Sequence, residues 1–444
     1  MNQRPNPLTP PSGRRPIYIA ALLFLIFTAS LLLYRGVYRA IDNSADFGLY
    51  YCSTVSLIQG NDPYTPSRLH EIAQSRGVLD AFMDNAIAPP FSYVPIIPFA
   101  LLPWPAAKVL WLVFNLACAA ALFYWLGKLA GIPMSARCTT TLFWAGCVFG
   151  FAPLQTCVSF GQLAVVSSAA CAGALFFEQR NTPLLTAALW TLAGLLKPQI
   201  AAALLLYFLY RRQWRIILAT FIGGSVITLL AAGWLQLNDP AWYGAWADNV
   251  YRLTHGGASD FARPKSSYIF SNLQVPIYIL FGSKAVANAS AWGITLALGA
   301  FALWRLRLLK QLRSSTKSVD SLGLAALCIT LGLIPFYHVY YDHTALLVTA
   351  AWAIGKRVAN SPNKAWIYAI LLVLLPMFLP GQVILNLLAH REVIPVGIGQ
   401  NALFRAFVIA QLPWLTLILG VLLIPALRNG VIPSHIPDKN PTTS

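Results

Sequence analysis

The run IYIAALLFLIFTASLLLY, Ile17 to Tyr34, decides the class of fold. It carries no charge, and about 18 residues at 1.5 Å each come close to the roughly 30 Å apolar core of a bilayer. Arg14 and Arg15 before it resemble the basic start of a signal peptide. No small-residue cleavage pattern follows, and Tyr34, Arg35 and Tyr38 are bulky, so the run reads as an uncleaved first membrane helix. Working outward, further apolar runs lie at 106–127, 138–157, 162–178, 183–196, 198–210, 215–237, 284–304, 321–336, 343–355, 365–388 and 403–427. The expected fold is an all-α integral membrane bundle of about twelve spans. Runs shorter than about 17 residues are expected to be tilted, broken or sheltered by neighbours. Residues 272–281 are too few to span and read as re-entrant.

Composition agrees. Of 444 residues 57% are apolar and 10% charged, whereas soluble domains are about a quarter charged. A soluble enzyme, a disordered chain and a collagen-like fibre are excluded. Thirty-one basic residues against 14 acids give +17, which in a membrane protein reflects basic cytoplasmic loops rather than nucleic-acid binding. RRQWR (211–215) and RLRLLKQLR (305–313) are such loops. Both termini are therefore expected in the cytoplasm, as tails over 1–16 and 428–444 around a membrane domain over 17–427. Almost every acid falls on the opposite, external side, which holds the long segments 35–105 and 238–283. Chemistry is expected there. The seven cysteines show no paired metal spacing, and no disulfide framework follows.

In the first external segment, residues 36–59 read as an amphipathic helix along the membrane surface, with Asp42 and Asp46 at i and i+4 on one face. Gly60-Asn61-Asp62-Pro63 reads as a turn, and a second polar helix is expected from Ser67 to Met83. Solvated surface aspartates and catalytic ones are both compatible with that spacing.

The strings Asp46-Phe47-Gly48-Leu49-Tyr50-Tyr51 and Leu57-Ile58-Gln59-Gly60-Asn61-Asp62-Pro63-Tyr64 tip the balance. Together they resemble the first-loop signature of glycosyltransferase family 87, of the GT-C superfamily. Phe91-Ser92-Tyr93-Val94-Pro95, Gly161-Gln162, Leu196-Lys197-Pro198-Gln199, Ser271-Asn272-Leu273 and Tyr340-Tyr341-Asp342-His343 follow in matching order. The resemblance implies transfer of a hexose, mannose foremost, from a polyprenyl-monophosphate donor to a lipid or glycan acceptor. It also implies inversion, no metal or other cofactor, and an external (in a bacterium, periplasmic) site in the plasma membrane.

Such a transfer needs a base for the acceptor hydroxyl, cations for the departing phosphate and exclusion of water. Asp46 is the candidate base, with Asp42 as runner-up. Lys197 falls between two apolar runs, where an ionisable group is costly and points to function, here the donor phosphate; a snorkelling helix-end lysine is the plainer reading. His343 opens a helix, a setting that suits an anion, and the resemblance assigns it to phosphate or acceptor. His338 and His343, five apart, share no helical face and lack a third metal ligand. Arg263 and Lys265 are candidate phosphate contacts or solvated loop residues. Tyr93, Gln162, Gln199, Asn272 and Asp342 complete the candidate substrate-binding set. No Walker loop, GxSxG or HExxH occurs. Two rivals remain: a transporter or flippase of lipid-linked glycans, and an O-antigen-ligase- or polymerase-like enzyme with a diphosphate donor. The first would want paired charges inside two repeated halves.

Overall fold

A computed structural model describes residues 15–79, 82–263, 270–312, 320–362, 364–378 and 401–427. Lys265 and the tail residues 1–14 and 428–444 lie outside them, as does 379–388 of the expected span 365–388. The described chain is helical, with no strand and one isolated antiparallel bridge, Phe270 to Val339.

The first apolar run sits in α1 (Arg15–Asp42), which passes through a π-helical turn at Leu32–Tyr38. The chain after α1 then forms α2 (Ala45–Ile58) and α3 (Pro66–Arg76). Next come α4 (Trp104–Leu129), α5 (Thr139–Gly150), α6 (Ala152–Phe160) and α7 (Ala164–Glu178). After these, α8 (Pro183–Leu196), α9 (Pro198–Tyr210) and α10 (Trp214–Asn238) are joined by very short connections. The chain after α10 forms α11 (Trp242–Thr254) and α12 (Gln274–Phe281), the latter covering the short run read as re-entrant. The chain continues through α13 (Lys284–Leu312), α14 (Ser321–Gly332), α15 (Leu347–Val358), α16 (Lys364–Leu374) and α17 (Gln411–Ala426).

Among the described residues four helices are long and apolar enough to cross a membrane, in α1, α4, α10 and α13, or up to six if two bent pairs each count as one span. One pair is α5 with α6, bent by 50°, where Phe151 leaves helical geometry and Pro153 cannot donate to a helical ladder. Helices α7, α8, α9, α14 and α16 are apolar but shorter. They pack among the others, and α7 is buried along nearly all its length. The long helices instead expose large apolar side chains, among them Leu33, Leu229, Leu230 and Leu296. Apolar surface on that scale belongs against lipid.

One expectation is corrected in the segment that follows the first apolar run. Residues 36–59 do not form one amphipathic surface helix. Ser44 takes the left-handed region (φ 34°) and separates α1 from α2, so Asp42 and Asp46 do not share a helical face. The apolar and aromatic residues of α2 are too numerous for an interfacial helix and form a core of their own. Phe47, Tyr51, Tyr64 and Tyr93 are buried with Trp104 and Trp111. The second polar helix ends early, at Arg76, because Gly77 caps it in the left-handed region.

Two buried ion pairs lie at the far end of the short helices. Glu178, the last residue of α7, accepts from Arg211 at 3.2 Å, Gln213 at 3.1 Å and the Tyr207 hydroxyl at 3.2 Å. Asp320 caps α14 and pairs with Lys356 near the end of α15 at 2.7 Å.

Candidate active site

Asp46 lies in the first turn of α2, and its neighbours fix it. The Ser44 hydroxyl donates to the Ala40 carbonyl at 2.7 Å, closing the break before the helix. Phe47 is fully buried, stacked on Trp111 with ring centres 4.8 Å apart and on Trp104 at 5.6 Å. The Trp111 indole in turn donates to the Gly161 carbonyl at 2.8 Å. Gly161 ends α6 at φ 68°, and a Cβ there would stand 2.7 Å from the Phe47 Cβ. Glycine thus permits both the left-handed turn and the close approach. That turn delivers Gln162 to Asp46: its amide nitrogen donates to the Asp46 carboxylate and, at 2.9 Å, to the Tyr341 hydroxyl.

Lys197 is the non-helical residue between α8 and α9, where Pro198 starts a new helix instead of extending the old one. Its ammonium lies 3.3 Å from Asp342 and 5.0 Å from the centre of the Tyr341 ring. The other Asp342 oxygen accepts the Val339 N–H at 3.2 Å and lies 3.3 Å from His338 Nδ1. Asp342 belongs to the 3-10 turn Tyr340–Leu346 that leads into α15. One compact group therefore joins the starts of α2, α7 and α9 to the turn before α15.

The two carboxylates differ in character. Burial pushes the Asp46 carboxyl up to about 6, against the opposing Gln162 hydrogen bond and the Lys197 charge. Burial would also raise Asp342, but Lys197 and the His338 hydrogen bond outweigh it and hold it down at about 2. One acid is poised to exchange a proton near neutrality while the other stays ionised to fix a lysine. Environments that push two carboxyls apart in this way assign distinct roles to them.

Four candidates from the sequence, Asp46, Gln162, Lys197 and Asp342, meet here. Tyr93 is buried with its ring 6.2 Å from Tyr50, one turn beyond Asp46. Gln199 is partly buried in the first turn of α9. Asn272 is buried and donates to Gln274 at 2.7 Å, beside Ser271, whose N–H donates to the His338 carbonyl at 2.9 Å. His343 is fully buried and turned to the Thr416 hydroxyl at 3.0 Å. Asp42 is exposed beyond the Ser44 break, and Arg263 is exposed with its backbone N–H on the Asp260 carbonyl. Sequence reasoning did not single out Tyr341 or the His338–Asp342 contact. The Tyr-Tyr-Asp-His string was visible, but which of its side chains turns inward was not. Among the described residues no group of three His, Cys, Asp or Glu side chains is placed to hold a metal ion.

A buried, differentially tuned acid pair among apolar helices fits a membrane-embedded group-transfer enzyme. The model of glycosyltransferase family 87 matches residues 87–334, more than half of the chain, which belongs to that family and is a glycosyltransferase. The matched range contains Tyr93, Gln162, Lys197, Gln199, Arg263 and Asn272, while Asp42, Asp46, Asp342 and His343 fall outside it. No curated protein and no solved structure matches the chain.

Proposed function

We propose that this glycosyltransferase moves a hexose, mannose foremost, from a polyprenyl-monophosphate donor to a hydroxyl of a lipid or glycan acceptor. The observation that carries the reading is the meeting of Asp46 with Gln162, Tyr341, Lys197 and Asp342 from distant parts of the chain. Asp46 takes the acceptor hydroxyl proton as that oxygen attacks the anomeric carbon. The bond from that carbon to the phosphate oxygen breaks, and its electron pair leaves on the polyprenyl phosphate. Attack opposite the leaving group inverts the anomeric centre.

Lys197 meets the charge on the leaving phosphate. Its ammonium carries three N–H donors, so the contact with Asp342 leaves two for a ligand. His343 stands one residue beyond Asp342, and the proposal, following the family resemblance, gives it to the phosphate or the acceptor. The reaction is written without a metal ion.

The same proposal includes a GT-C arrangement of about twelve spans in the plasma membrane. Both termini are cytoplasmic and the Asp46 side is external. The separation of Asp46, Gln162, Lys197 and Asp342 from the far-end ion pairs supports that polarity. The test supplies polyprenyl-monophosphate-mannose and its diphosphate counterpart to membranes containing the protein. Transfer from the monophosphate alone is expected. Transfer from the diphosphate alone would favour a ligase or polymerase and sink the donor assignment.

A further inference from the structure

A cavity of about 500 Å³ opens at the opposite end of α7 from Gln162, between the α7–α8 and α9–α10 connections. Its lining includes Glu178, Asn181, Thr182, Arg212, Trp214 and Arg215. At about 1.5 Å per residue, the length of α7 separates it from the Asp46 cluster by roughly 20 Å. The size is that of a small-molecule site, about 300–1,000 Å³.

The charges in its walls are unequal. Glu178 is buried, and both its oxygens are engaged by Arg211, Gln213 and Tyr207. Arg212 and Arg215 are exposed and have no side-chain partner among the described residues. Two guanidinium groups, Arg212 and Arg215, thus line the cavity beside one carboxylate that Arg211 already satisfies. Pro183, the first residue of α8, and Trp214, the first of α10, also line the opening, so two helix starts border it, and helix starts favour an anion. Beside it, Leu184 and Leu218 are 79% and 62% exposed and Trp214 is 61% exposed. They offer acyl chains a surface continuous with the polar opening.

We propose that this cavity binds a phosphate group, delivered as the headgroup of an anionic phospholipid whose chains lie along α8 and α10. Arg212 and Arg215 meet the phosphate, and Trp214 marks the level where headgroup meets chains. The site is independent of the proposed sugar transfer.

The test uses the purified full chain in neutral detergent. Native mass spectrometry follows retention of phosphatidylglycerol, phosphatidylcholine and inorganic phosphate. The cavity variant combines Arg212→Asn with Arg215→Gln; asparagine tolerates the positive φ of 55° at position 212. The control combines Lys128→Gln with Arg137→Gln, removing two exposed charges elsewhere. Phosphatidylglycerol is expected to be retained over phosphatidylcholine, and the cavity variant to lose about tenfold in affinity while the control does not. Displacement of the lipid by millimolar inorganic phosphate would support the site and assign it to free phosphate; no displacement would assign it to the lipid. Equal retention by the wild type and the cavity variant would overturn the proposal. An equal loss in the control would also overturn it, because diffuse surface charge would then explain the binding.

Discussion

Asp46 sits where a base working near neutral pH should, with burial raising its carboxyl to about 6. The base must be ionised to accept a proton, so transfer is expected to rise with pH through about 6 and to fall below it. A pH–rate profile of kcat/KM checks this, and a limb near the ordinary value of 3.8 would contradict it. The same shift bears on stability with the opposite sign. The folded chain holds this proton more tightly than the unfolded chain, so the stability it contributes is fully present below the ordinary value of 3.8 and is lost as pH rises through about 6. Lys197 and Asp342 form a pair in which both side chains are nearly inaccessible. Replacing Lys197 by Met strands a buried carboxylate and is expected to cost about 3–5 kcal/mol. Adding Asp342→Asn should restore much of the folded amount without restoring transfer. Thermal unfolding alongside transfer assays separates the two effects, and recovery of both together would refute a role for Lys197 at the phosphate. Asp46 and Lys197 could be picked out in the sequence as an acid in a family-like motif and a charge between apolar runs. Gln162 and Asp342 stood out in family-like strings as well, but their meeting with Asp46 and Lys197 could not be read: Gln162 reaches Asp46 across 116 residues and Tyr341 across 179, and no local periodicity encodes either contact.

The elements that carry these side chains are set by a few tight junctions. Gly161 is the most exacting, because any side chain there meets Phe47 while the backbone holds φ at 68°. Gly161→Ala is expected to lower stability by about 1–2 kcal/mol through the left-handed backbone alone and to move Gln162 off Asp46. Its kcat should fall more than its KM rises; unchanged kcat would mean that the turn tolerates the methyl and that the site does not depend on it. Phe47→Ala empties the aromatic stack between α2 and α4 and is expected to cost about 3–5 kcal/mol. Protease resistance of α2 and α3 would report that loss. At this scale the apolar runs were legible: α4 at Trp104–Leu129 and α10 at Trp214–Asn238 extend the expected 106–127 and 215–237 by a few residues. The break at Ser44 was not legible. Nothing in Asp-Asn-Ser-Ala forbids a continuous helix; the break arises because Phe47 and Tyr51 pack into an aromatic core shared with α4.

Across the whole molecule, the short helices carry polar groups at both ends and apolar ones between. Asp46, Gln162, Lys197 and Asp342 stand at one end, while the Glu178–Arg211 and Asp320–Lys356 pairs stand at the other. The uneven distribution of charge along the sequence pointed to two chemically different sides. It did not reveal that Glu178 and Asp320, two of the few acids assigned to the basic side, are buried and paired, since pairing depends on how helix ends meet. The catalytic account stands most directly on Asp46, and one measurement bears on it. Membranes containing equal folded amounts of wild type or Asp46→Asn would be given radiolabelled polyprenyl-phosphate-mannose, and label entering endogenous acceptors would be counted. Incorporation by wild type alone is the predicted result, because asparagine keeps the shape and removes the base. Comparable incorporation by the variant would contradict the account.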